Sequence, residues 1–333
     1  MQKFSSKEFP FHSHFISVPV RNVKQMNMHY VLEGDQFAER TLLMVHGNPT
    51  WSFMYRQVIK RYENLPMKLL AVDHLGMGLS DSLHENDQAI TFTERVEHLK
   101  FLLTRLQIKN VVLMAHDWGG AIGLKACLEL HMMEKINFQL EGIFLMNTAA
   151  FFLNRLPLRI SSCRWPVLGK FFAVNMNLFL QGALTFAAKT NLSKEVKRGF
   201  LFPYKKKAQR RSIHDFVMDI PMTENHPTRK PIDELQELIG KIQKSNPEIP
   251  LTIVWGMKDF CFTPAFLQKW RSLWPKASIF EQKQAGHLVL EDAWEEVAMI
   301  CDKFLQKVIS KQAEQQAKER GDYVHESTSR AQL

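Results

Sequence analysis

Cysteine is scarce in this chain, with four in 333 residues at Cys127, Cys163, Cys261 and Cys301, none in a CxxC pair or at ligand spacing from a histidine. Neither a disulfide framework nor a zinc site is implied, and reduced thiols in a cytoplasm are the simplest expectation. A secretory leader is missing too: the first apolar stretch, HFISVPV, is short and follows a polar, Phe-rich start rather than a basic one. No clean apolar run of about 20 residues exists, the length a membrane span needs. The most apolar segment, 171–188, is interrupted by Asn175, Asn177 and Gln181, so it is expected to be a buried helix. A phosphate-cradling glycine loop and a cluster of metal ligands are missing from the sequence as well. The net charge of +9 has no nucleic-acid-binding motif beside it, which argues against nucleic acid as a partner.

What is present is enough apolar residue, 45% of the chain, to build a large core. Eight strand-like runs stand out, at 15–20, 26–32, 41–47, 68–73, 110–117, 140–147, 250–256 and 277–283. From the third onward most are short continuous apolar runs, as in parallel strands covered on both faces. Amphipathic helical patterns lie between them, so an α/β fold with a doubly wound, mostly parallel sheet is expected. The alternation fails between Ala150 and about Ser245, where the patterns are helical only. The expected organisation is therefore a core over 1–149, a helical cap and linker over 150–245, the rest of the core over 246–310, and a polar disordered tail over 311–333. The basic excess belongs to the cap. Residues 151–245 hold 17 Lys and Arg against 7 Asp and Glu, leaving 26 and 27 elsewhere. Its densest run, Lys197 to Arg211, reads first as a solvated helix face. Docking on anionic lipid, peripheral to the inner membrane, or on an acidic partner enzyme is the other reading.

The stretch VVLMAHDWGGAIG at 111–123 has the layout of a nucleophile elbow, a tight strand-to-helix turn. Such a turn needs small residues two before and two after the nucleophile, and Ala115 and Gly119 flank Asp117 in that way. Aspartate stands where serine is usual. Trp118 offers a backbone and an indole N–H to an anion, and Asn48, in VHGNPTWS after the third strand, offers further donors. The acid and the base should follow in chain order. Asp259 lies just past the run TIVWG, and His287 just past the last strand. His116 and His46 are expected to hold loops by hydrogen bonding, Asp73 to be a structural turn residue, and Glu291 and Asp292 to begin the last helix.

Five motifs, HGNPTWSFMYR, DHLGMGLSD, HDWGG, WGMKD and GHLVLED, resemble the haloalkane dehalogenase group of the α/β-hydrolase superfamily, over about residues 12–310. NTAAF at 147–151 and RLPLRISSCRWP at 155–166 resemble the branch shared by subfamily III dehalogenases and the β-lactone decarboxylases of long-chain olefin synthesis. The resemblance implies an eight-stranded sheet with a helical cap insertion, and an enzyme that needs no cofactor. It implies Asp117 as nucleophile, His287 as catalytic histidine, Asp259 as its acid partner, and Asn48 with Trp118 as binders of the leaving anion. Some dehalogenases carry the acid after the sixth strand, where this chain has Asn147, an amide unable to balance an imidazolium.

A carboxylate held in line with a saturated carbon displaces a good leaving group and forms an alkyl ester. In a dehalogenase that group is halide, and the histidine activates water to cleave the ester. In a β-lactone decarboxylase the ring carboxylate leaves, and loss of carbon dioxide releases the alkene. The apolar, basic cap favours the second, with a small hydrophobic, long-chain substrate; dehalogenation is the alternative. Epoxide hydrolysis needs a pair of cap tyrosines, and only Tyr204 of five tyrosines lies in the insertion. Fluoroacetate-type dehalogenases resemble a pattern with arginine where this chain has Trp118. A ligand receptor of the same fold would have no need for the full constellation.

Overall fold

The computed structural model describes residues 4, 6–21, 23–84, 87–133, 135–153, 158–161, 164–165 and 168–319. All eight expected runs are strands: β1 (His14–Val20), β2 (Val23–Gly34), β3 (Arg40–Val45), β4 (Lys68–Val72), β5 (Asn110–His116), β6 (Gln139–Met146), β7 (Leu251–Gly256) and β8 (Ser278–Gln282). They form one sheet in the order β1-β2-β4-β3-β5-β6-β7-β8. The β1/β2 and β2/β4 pairs are antiparallel and the other pairs parallel. Every residue of β3 and β7 is buried because helices cover both faces, which explains why residues 42–45 and 253–255 run continuously apolar rather than alternating. At the sheet edge β8 has no fully buried residue.

Before the cap, a 3₁₀ turn (Ser52–Tyr55) leads into α1 (Arg56–Tyr62), followed by α2 (Phe92–Arg105) and α3 (Trp118–His131). α2 opens on a capping box in which the Glu94 carboxylate accepts the Thr91 N–H at 2.9 Å. Among the described residues between β6 and β7 the chain makes only helices and turns: α4 (Leu158–Ser161), α5 (Leu168–Lys170), α6 (Leu178–Gly182), α7 (Lys194–Leu201), α8 (Lys207–Met218) and α9 (Arg229–Ser245). The core resumes with α10 (Pro264–Leu273), α11 (Val289–Asp292) and α12 (Trp294–Glu319).

Two expectations need correction. Residues 171–188 do not form one buried helix. Asn177 sits at φ +56, which breaks the run, and π-helical turns (Phe171–Asn175 and Ala183–Ala187) lie on either side. A segment apolar on all sides cannot bury every side chain once its winding changes, and Phe171, Phe172, Met176, Leu178 and Phe186 are 42–50% exposed. Likewise, Glu291 and Asp292 do not begin the last helix but close the separate turn α11. α12 runs on through Glu319. Of the polar tail expected over 311–333, residues 320–333 lie outside the described residues, as does much of the motif at 155–166.

The topology itself locates the functional end of the sheet. β3 lies between β4 and β5, so the chain leaves it toward one side of the sheet and later returns on the other. Loops after β3 and β5 therefore part at the strands' carboxyl ends, opening the crevice in which open α/β sheets bind ligands.

Candidate active site

Asp117 is the single residue between β5 and α3, at φ +53 and ψ −131. Such a conformation costs a non-glycine residue about 1–3 kcal/mol and persists only where the surroundings impose it. They do so here. A Cβ at Gly119 would collide with the carbonyls of Val45 and His46, and one at Gly47 with the Asp117 side chain, so both glycines permit the close approach. The Asp117 backbone N–H donates to the Asn147 carbonyl at 3.2 Å, and its carbonyl accepts the Gly120 N–H at 3.0 Å.

The Asp117 carboxylate is held from two sides. Its Oδ1 accepts the Asn48 backbone N–H at 2.6 Å, and the Trp118 backbone N–H also bonds to it. Oδ2 is 3.8 Å from Nε2 of His287. Nδ1 of His287 lies 2.8 Å from Oδ2 of Asp259, so a proton on Nδ1 donates to that carboxylate and leaves Nε2 facing Asp117. Asp259 Oδ1 accepts the Cys261 N–H at 2.6 Å. All five site residues expected from the sequence, Asn48, Asp117, Trp118, Asp259 and His287, meet at the carboxyl ends of β3, β5, β7 and β8.

Residues 40–293 match the family described as alpha/beta hydrolase fold. The chain belongs to that family. It is 34% identical to the cis-3-alkyl-4-alkyloxetan-2-one decarboxylase of Shewanella oneidensis over 296 residues, 86% of each chain. The decarboxylase of the same name from Xanthomonas campestris pv. campestris is 31% identical, over 84% of this chain and 92% of that protein. The fold also superimposes on the crystal structure of a haloalkane dehalogenase, DatA from Agrobacterium tumefaciens C58, with a TM-score of 0.74 and 21% identity. That match covers 91% of this chain and all of the other.

In this α/β hydrolase the carboxylate opens into a cavity whose walls come from core and cap together, among them Trp118, Phe151, Phe179, Val217, Phe262 and Phe266. Asn48 and Asp117 bring the polar groups to it. Phe262 stacks on the His287 ring at 5.8 Å between centroids. Burial raises the Asp117 carboxyl to about 6, against the pull of His287 and of the Trp118 and Asn48 N–H groups. Burial alone would lower His287, but the charge and hydrogen bond of Asp259 and the charge of Asp117 outweigh it and leave the imidazole raised. The two shifts coexist because each group answers mainly to a different influence, Asp117 to desolvation and His287 to Asp259.

Asn48 is more occupied than the sequence suggested. Its Nδ2 donates to the Ile213 carbonyl at 3.0 Å, leaving one amide hydrogen over. The indole N–H of Trp118 has no hydrogen-bond partner among the described residues.

Asn147 does more than the sequence indicated. At φ +32 its Nδ2 bonds both the Gly256 carbonyl at 3.1 Å and Asp259 Oδ2 at 2.9 Å, while its Oδ1 accepts the Gly256 N–H at 2.8 Å. It thus fixes the carboxylate that orients His287. Its place at the end of β6 was the only signal. Asp292 accepts the N–H groups of Gly286 and Lys189, both at 2.7 Å, and ties the His287 loop to the cap. Glu291 pairs bidentately with Arg56 at 2.6 and 2.7 Å.

The expected supporting histidines behave as such: Nε2 of His116 is 2.8 Å from the His287 carbonyl, and Nδ1 of His46 is 2.8 Å from that of Gly47. Asp73 collects the N–H groups of Ser52 and Leu79 and the ring of His29, a structural node. Tyr204 is buried with its hydroxyl donating to the Thr50 carbonyl, away from the cavity walls.

Proposed function

We propose that this enzyme decarboxylates a long-chain cis-β-lactone to an olefin, with Asp117 as nucleophile. The observation that carries the reading is a carboxylate at the elbow, held by N–H groups and aimed into an apolar cavity, in a chain whose relatives at 34% and 31% identity are cis-3-alkyl-4-alkyloxetan-2-one decarboxylases. An oxygen of Asp117 attacks the ring carbon that bears the lactone oxygen. The new carbon–oxygen bond forms as the old one breaks with inversion, and the ring acyl group is freed as a carboxylate. Spare donors on Asn48 and Trp118 receive that anion. The electron pair of the carbon–carboxylate bond then becomes the second bond of the alkene and expels Asp117, releasing carbon dioxide. Inversion followed by loss from opposite faces keeps both alkyl groups on one side, giving a cis alkene. Atoms and electrons balance with no added oxidant, reductant or water. His287, held by Asp259, keeps Asp117 ionised beside it.

The second reading is haloalkane dehalogenation, favoured by the water-activating geometry of His287 opposite Asp117. Halide would then be the leaving group, and water would cleave the ester. Purified protein incubated separately with a cis-β-lactone and with 1,2-dibromoethane decides the matter: alkene from the first is expected, and halide release without alkene would overturn the proposal. The reaction is assigned to the cytoplasm on the scattered, motif-free thiols.

A further inference from the structure

We propose that the exposed apolar face of the cap docks on an anionic lipid bilayer, so that substrate passes from the bilayer to the cavity over Asp117. Trp165, Phe171, Phe172, Met176, Leu178 and Phe186 are 42–59% exposed, although large apolar side chains usually reach a protein surface singly. Their neighbourhood is shared. Arg164 donates to the carbonyls of Val217 at 2.6 Å and Met218 at 3.1 Å, bringing Trp165 to the end of α8, where Met218 is itself 39% exposed. α8 also packs on the Phe171–Asn175 turn, and the Phe171 and Phe172 rings lie 5.7 Å apart.

Charge identifies the occupant. Residues 151–194 contain Arg155, Arg159, Arg164, Lys170, Lys189 and Lys194 and not one Asp or Glu. Lys170, Lys189 and Lys194 are exposed. Aromatic and aliphatic side chains among cations fit the interfacial region of an anionic membrane, and the carboxylate of α8 that acts on Lys170, Asp215, is itself largely buried and pairs with Arg211. No helix among the described residues is long and apolar enough to cross one, so the face lies on the bilayer. The Lys197–Arg211 run is less suited, because Arg211 is engaged by the His84 and Asp87 carbonyls of the core. Phe179 and Val217 wall the cavity while their neighbours Leu178 and Met218 face outward, so the same elements form the entrance and the docking face. The delivery step rests on the lactone reading; the docking itself does not.

The test pellets the full chain with vesicles of phosphatidylglycerol and phosphatidylethanolamine, or of phosphatidylcholine alone. The wild type should bind the anionic vesicles, and both neutral vesicles and the Phe171→Asp/Phe172→Asp pair should weaken binding by about tenfold or more. Turnover of a short, water-soluble β-lactone without lipid should be unchanged in the pair, which separates lost docking from lost folding. Vesicle binding with no lactone turnover in either protein would support docking while refuting the lactone chemistry. Equal binding by the pair, no binding by the wild type, or a solution dimer dissolved by the same substitutions would overturn the proposal.

Discussion

Replacing Asp117 by asparagine should abolish turnover and make the protein more stable. Asparagine fits the site: it keeps an acceptor for the Asn48 N–H and tolerates positive φ. What it removes is a buried negative charge. The Asp117 carboxyl is raised from 3.8 to about 6, so it binds its proton more tightly folded than unfolded. Its stabilising contribution is full below pH about 4 and is lost as pH rises through about 6. Each pKa unit is worth ~1.4 kcal/mol, so ionisation of the buried group costs up to ~3 kcal/mol at pH 8. Loss of the attraction to a charged His287 reduces this, and pH 8 is the pH to measure because it lies well above the range in which Asp117 titrates. At ~2 °C per kcal/mol, the melting temperature of D117N should exceed that of wild type by a few degrees at pH 8, and the gap should close toward pH 4. Calorimetry across that range, with alkene formation measured in parallel, tests both halves. A melting temperature at pH 8 equal to or below wild type would refute the desolvation argument, and intact turnover would refute the nucleophile.

Other consequences are equally direct. The kcat/KM of the wild type should fall tenfold per unit as pH drops below about 6, because the attacking carboxylate becomes protonated; a flat profile from pH 7 to 5 would contradict this. In His287→Gln, a brominated substrate should leave an alkyl adduct on Asp117, detected by mass spectrometry of the peptide, since the group placed to activate water is gone. Arg56→Met strips a buried carboxylate, Glu291, of its bidentate partner and should lose about 3–5 kcal/mol in urea unfolding. Asn147→Ala leaves the buried Gly256 N–H unpaired, takes one of two donors from the Gly256 carbonyl and leaves Asp259 less constrained, costing roughly 1–3 kcal/mol and lowering kcat more than it raises KM.

The chemistry of this protein was legible because its turns are steric problems with few solutions. Gly119 beside the Val45 carbonyl and Gly47 beside Asp117 are places where no side chain fits, so the elbow and the loop after β3 could be read from residue types alone. The strands of the sheet centre were legible for a similar reason, since a strand covered on both faces is apolar along most of its length, with only Arg40, Thr41 and Thr252 polar in β3 and β7. Local sequence thus determined the eight strands, the elbow and the five residues that meet there. Tertiary structure alone decided the rest. Asn147 reads as a mere amide until β6 and β7 lie side by side and place Gly256 and Asp259 around it. Glu291 and Asp292 read as the start of a helix until Arg56 and the cap backbone reach them from distant parts of the chain. Whether the apolar run of the cap is buried depended on Asn177 and the π turns beside it, because periodicity predicts one buried face only while the winding stays regular. The acidity of Asp117 is likewise collective: an aspartate is acidic by nature, and only burial by residues far along the chain lifts it to about 6.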